Sequence, residues 1–204
     1  MKTKPILLTL TILALFSCGS LRRLPPDSPL IYDEGVVING VRWATRNVGV
    51  RPRTFAVAPE DFGGYFTWEE TQRACPRGWR TPTRQEIRSL ANTESFWTIR
   101  DSVPGVTYKT FAGESLTWGD WVIHHNVPGR VFGSVPNQIF LPAGGFRFVN
   151  TPIVNNIGLQ GHYWSDTHTQ INNFTLIFDS DSVKYQNNTT NRRTDGLFVR
   201  CVAK

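Results

Sequence analysis

Chemistry in this chain could reside in three cysteines, four histidines and a few closely spaced carboxylates. His124 and His125 are adjacent. Adjacent strand residues face opposite sides, so this pair does not readily share one metal. His162 and His168 stand far from them in sequence. Asp179 and Asp181 alternate at an expected strand end, which puts both carboxylates on one face. Calcium wants several oxygen ligands, so the pair reads as a solvated strand end, and no metal or cofactor is expected. No Ser-His-Asp spacing, phosphate loop or acid/base carboxylate pair stands out, and the expectation is a protein without catalysis.

The cysteines divide into two chemistries. Lys2 and Lys4 precede an apolar run from Ile6 to Phe16, a secretory pattern too short to span a bilayer. Leu15 at −3, Ser17 at −1 and Cys18 at +1 resemble the bacterial lipobox. Residues 1–17 are therefore expected to be a lipoprotein signal peptide, with Cys18 the site of lipid attachment. Residues 18–34, which contain Leu24-Pro25-Pro26-Asp27-Ser28-Pro29, read as a lipidated tether. The expected location is the outer membrane, on the cell surface or the periplasmic face, since a diacylated cysteine carries the chains that stable anchoring requires. In an oxidising compartment Cys75 and Cys201 are most simply a disulfide, with two buried thiols as the alternative. Closing so long a loop is worth roughly 4–5 kcal/mol in the chain-entropy account, and about 2–4 kcal/mol in most measurements.

The elements that must position these groups are short. Val36-Val37-Ile38 and Val41-Arg42-Trp43 flank Asn39-Gly40, the strongest short hairpin signal. Capping boxes open two helices, Thr67-Trp68-Glu69-Glu70 and Thr83-Arg84-Gln85-Glu86. The first must stop at Pro76 and the second runs to about Asn92. Strands are expected at 138–141, 146–149, 174–178 and 197–202. Helices early and strands late indicate an α+β domain. The formal net charge is +6, but the basic residues are scattered, without a stripe or a basic helix, so nucleic acid is not an expected partner.

Several segments, in order, resemble the Fibrobacter succinogenes major paralogous domain family. They are Ile38-Asn39-Gly40-Val41-Arg42-Trp43-Ala44-Thr45-Arg46-Asn47-Val48, Gly64-Tyr65-Phe66-Thr67-Trp68, Cys75-Pro76-Arg77-Gly78-Trp79-Arg80, Leu141-Pro142-Ala143-Gly144-Gly145, Gly161-His162-Tyr163-Trp164-Ser165 and Val199-Arg200-Cys201-Val202. The resemblance covers residues 35–204 and implies a single lectin-like domain. The implied C-type-lectin-like fold has two helices packed on short antiparallel strands with a long loop region. It also implies a bridge from the first helix region to the last strand, the slots of Cys75 and Cys201. With those two paired and Cys18 lipidated, no thiol remains for chemistry like that of the formylglycine-generating enzyme, a relative within that superfamily.

Eight of the 13 asparagines lie in residues 150–191. Asparagine suits turns. Lectin-like domains ending in this way also resemble targets of diversity-generating retroelements, in which a fixed scaffold holds a variable surface. The ligand-binding residues expected on that reading are Asp166, Thr167, His168, Gln170, Asn172, Asn173, Tyr185, Asn187, Asn188 and Asn191. Trp43, Trp68, Trp79 and Trp164 are expected in the core, while Trp97, Trp118 and Trp121 are either loop anchors or a binding platform. The functional expectation is an exported, non-catalytic lipoprotein that binds a protein or glycan, an adhesin with a diversified C-terminal loop surface being one form of it. Its membrane contact comes through the lipid on Cys18. The alternative is a structural subunit of a pilus or envelope assembly.

Overall fold

The last described segment is bonded to segments from much earlier in the chain. In the computed structural model, which describes residues 32–100, 127–149, 151–169, 173–188 and 192–204 (186–188 as backbone only), the run Leu197–Val202 is fully buried. Phe66 exchanges backbone hydrogen bonds with Leu197, Trp164 N–H donates to Phe198, Val48 N–H to Val199 and Ala44 N–H to Cys201. A segment flanked on both sides carries apolar side chains nearly continuously, as this one does.

The chain begins with β1 (Val36–Ile38) and β2 (Val41–Trp43), joined through Asn39 and Gly40 at φ 50° and 77°. Both turn residues therefore take the left-handed conformation that a tight hairpin needs, and the Asn-Gly signal is realised. Next come α1 (Trp68–Thr71), β3 (Trp79–Arg80), α2 (Arg84–Ala91) and β4 (Ser95–Arg100). The hairpin of β5 (Val127–Ser134) and β6 (Asn137–Pro142) precedes β7 (Phe146–Arg147) and β8 (Val154–Asn155). A meander of β9 (Gly161–His168), β10 (Asn173–Phe178) and β11 (Val183–Asn188) leads to β12 (Val202–Ala203). All pairings between these strands are antiparallel and make four sheets among the described residues, β1-β2-β12-β3, β4-β5-β6, β7-β8 and β11-β10-β9.

The expected α+β, lectin-like arrangement with two packed helices is not what forms. The structure is mainly β, and among the described residues its helices are one of four residues and one of eight. Both capping boxes are present, with Glu70 and Glu86 reaching back to Thr67 and Thr83. A cap starts a helix but cannot prolong it. Pro76 and Gly78 follow α1 within two turns, and α2 ends at Asn92 as read. Only α2 is long enough to bury a stripe, placing Ile87 and Leu90 in the core.

That core gathers Trp43, Phe132, Ile139, Leu141, Tyr163, Leu176, Phe178 and Phe198 around the two α2 residues. A second cluster holds Phe66, Trp164, Leu197 and Val199, with Trp68 and Trp79 packed partly buried against it. Trp43 and Trp164 are thus fully interior, Trp68 and Trp79 half-buried, and Trp97 flanks the first cluster. Trp118, Trp121, His124 and His125 lie outside the described residues.

A polar network sits inside this apolar setting. Arg200 is 1% exposed. Its Nε donates to Asn47 Oδ1 (2.9 Å), Nη1 to the Ala44 carbonyl (3.2 Å) and Nη2 to the Phe140 carbonyl (2.9 Å). Asn47 donates onward to the Phe62 carbonyl and to the Tyr163 hydroxyl, which itself donates to the Pro142 carbonyl. Burial pushes the Arg200 pKa down, opposed by Tyr163 and Asp33, and pushes the Tyr163 phenol up to about 12. Asp33 belongs to the fold rather than to the tether, because its buried carboxylate accepts from the Gly35, Thr45 and Arg46 N–H groups.

Candidate functional site

The expected recognition residues can be placed from strand register. In the β9-β10-β11 sheet Asn173 stands opposite both His168 and Asn188, and Phe174 stands opposite Asn187. Asp166, Thr167, His168, Asn173, Asn187 and Asn188 therefore share one end of one sheet. Tyr185 lies further along β11, and Gln170, Asn172 and Asn191 lie outside the described residues.

These residues do not all face outward. Thr167 accepts the Arg84 N–H (3.1 Å) and donates to Asp166 Oδ1 (2.8 Å), while Asp166 N–H donates to the Pro82 carbonyl (2.8 Å). Together they fasten the start of α2 to the sheet. Asn173 is buried. The Tyr185 hydroxyl accepts from Arg84 Nη2 (3.0 Å), a bond that lowers its pKa. Arg84 also lies 4.1 Å over the Phe174 ring. His168 is exposed, its ring 4.2 Å from that of Trp68, and Arg193 crosses the same indole at 5.6 Å while donating to the Thr169 carbonyl. The sheet end is thus continuous with α1.

The predicted bridge between Cys75 and Cys201 is present, its Cα atoms 6.0 Å apart across 126 residues of sequence. Beside it lies a cleft of about 560 Å³ that residue-by-residue reading had missed. Arg53, Arg73, Arg77, Arg80, Lys204 and Asp166 contribute its charges. Arg53 N–H donates to the Ala74 carbonyl and Lys204 N–H to the Gly78 carbonyl, and β3 pairs with β12. Four remote segments are pinned there around one disulfide. Arg80 is neutralised by Glu86, with two short bonds at 2.6 and 2.8 Å. That pairing holds the Glu86 carboxyl below its ordinary range despite the opposing effect of burial. The linear signal was the spacing of Arg73, Arg77 and Arg80 around Cys75, which means little until the bridge brings in the far end of the chain.

Among the described residues no group of three or more His, Cys, Asp or Glu side chains could hold a metal, and no helix is long and apolar enough to cross a membrane. Asp179 Oδ1 caps the β10–β11 turn, accepting from the Asp181 and Ser182 N–H groups. His162 is buried on β9, where burial holds its pKa down at about 4. Cys18 lies outside the described residues. What the fold and site define is a disulfide-closed β domain with a polar sheet end and a basic cleft. No family model, curated protein or solved structure matches this chain.

Proposed function

We propose that this chain is an exported, lipid-anchored binding protein, without catalysis, that recognises a protein or glycan through the end of the β9-β10-β11 sheet. The supporting observation is the register that gathers Asp166, Thr167, His168, Asn173, Asn187 and Asn188 there. A recognition surface gains when few groups must be ordered on binding. Here Thr167 and Asp166 are already fixed by α2, and His168 rests against Trp68. Cys75 and Cys201 are consumed in their bridge, which leaves them no thiolate chemistry. The lipobox-like run before Cys18 supports the anchor.

A screen of glycans and extracellular proteins against the whole chain tests this reading, repeated with His168→Ala, Asn187→Ala and Asn188→Ala combined. Ligands should be lost while the melting temperature stays unchanged. Ligands that bind the triple variant as well as the native protein would place recognition elsewhere. Cys18→Ala should abolish incorporation of labelled palmitate.

A further inference from the structure

The cleft beside the disulfide, which shares Asp166 with the sheet end, carries a second inference argued from other residues. We infer that it is a binding site for an anionic polysaccharide, with Arg53, Arg73 and Arg77 taking its carboxylate or sulfate groups. Among the described residues none of these three guanidinium groups has a side-chain partner, and all three are exposed. Unpaired guanidinium groups on one concavity present several N–H forks, the geometry that carboxylate and sulfate accept in two-point fashion. Among the described residues Asp166 is the single acidic side chain lining the cleft.

Arg53 adds a second observation. Its φ is 65°, a left-handed conformation that glycine or asparagine adopts more cheaply. The bond from Arg53 N–H to the Ala74 carbonyl (2.7 Å) holds it there, at the rim of the cleft. Backbone strain of this kind at a concave surface is a pointer to function. The framework is also rigid, because the bridge and β12 fix the opposite wall.

The class of polymer follows from what adjoins. Gln72 and Arg73 line both this cleft and a neighbouring hollow of about 540 Å³, whose other walls are Pro52, Trp68, Glu69 and Glu70. A chain crossing from one to the other passes from guanidinium groups to carboxylates and an amide within one turn of helix. An acidic peptide would meet repulsion in the second hollow. A polysaccharide in which neutral sugars alternate with anionic ones offers its charges to the arginines and uncharged hydroxyl donors to Glu69 and Gln72.

The test is affinity electrophoresis of the whole chain in mild detergent, through gels containing hyaluronate or chondroitin sulfate, whose uronates alternate with uncharged or sulfated amino sugars, or containing neutral dextran or poly-glutamate. Retardation by hyaluronate, chondroitin sulfate or both is expected, weakening with added salt because the contacts are exposed. Neutral dextran and poly-glutamate should not retard the protein. Retardation by hyaluronate shows that the carboxylate suffices, and retardation by chondroitin sulfate alone assigns the contact to the sulfate. The combination Arg53→Asn, Arg73→Gln and Arg77→Gln should weaken retention by roughly tenfold or more. A charge-matched control outside the cleft, Arg42→Gln with Lys184→Gln and Arg192→Gln, should leave it within about twofold. Equal losses in the two combinations would show diffuse charge attraction and overturn the site. Retardation by poly-glutamate as strong as by the polysaccharides would overturn the ligand class. No retardation by either anionic polysaccharide would overturn both. The triple variant at His168, Asn187 and Asn188, which leaves the three arginines in place, should keep its retardation, so that failure here and failure of the sheet-end reading are told apart.

Discussion

Arg200→Met should lower stability by about 2–4 kcal/mol, although it removes a charge from the interior. Methionine follows much of the arginine stem and fills space flexibly, so the change is mainly electrostatic. Three acceptors lose their donor: Asn47 Oδ1 and the carbonyls of Ala44 and Phe140. A buried polar group left unpaired costs about 1–3 kcal/mol, which puts the gross loss at roughly 3–9 kcal/mol. Against this stands the desolvation of the guanidinium, several kcal/mol that the neutral side chain no longer incurs. Because only one side of the network is replaced, the first effect should prevail. Urea unfolding is the assay: the midpoint should fall with the slope unchanged, alongside a drop in melting temperature of about 5–15 °C. Arg200→Lys keeps the charge but not the fork, and should fall at least as far as the methionine variant. A methionine variant as stable as the native protein would refute this reasoning, because the three acceptors would then have found other partners.

Three further outcomes are expected. Replacing both bridged cysteines by serine should cost about 2–4 kcal/mol, and reductant should bring the native protein to the same melting temperature; unequal values would show that the bridge is not the source. His162, held at about 4 in the fold against 6.5 ordinarily, takes up its proton more readily when unfolded. Its contribution is therefore fully present above about pH 6.5 and is lost as pH falls towards 4, by roughly 3 kcal/mol in all. His162→Gln should flatten that part of the stability profile, and an unchanged slope would count against the assignment. Gly145 has φ 70°, and a Cβ there would overlap the Asn155 carbonyl, so Gly145→Ala should cost about 2–4 kcal/mol in urea unfolding.

Local signals were legible in the sequence and remote ones were not. Asn39-Gly40, Thr67 with Glu70, and Thr83 with Glu86 act within four residues, and each forms as read. The bridge was legible from the cysteine count, once Cys18 was set aside as a lipidation site. The sheets were harder to see. Pro128, Gly129 and Gly133 interrupt β5, yet Gly129 is there because a side chain would overlap the Leu141 carbonyl and the Phe140 ring on the neighbouring strand. With β4, β5, β9 and β11 unrecognised as strands, two short helices were given too much of the fold. In the sheet end, pairing between β9, β10 and β11 turned a dispersed list into one place, but it also committed Thr167 and Asn173 to packing. The cleft drew on four segments and had no linear signature. Arg200 was visible only as part of a Val-Arg-Cys-Val run, since nothing local distinguishes a buried arginine from an exposed one.

The burial of Leu197–Val202 between earlier segments also sets an order of events in time. A chain that emerges N-terminus first presents Phe66, Ala44, Val48, β2 and β3 long before their partners exist. Cys75 likewise waits for Cys201, 126 positions further along the chain. Core formation must therefore come late and through distant contacts, the topology that folds slowly. Loss of the last eight residues would consequently be a failure of the whole domain rather than a frayed end.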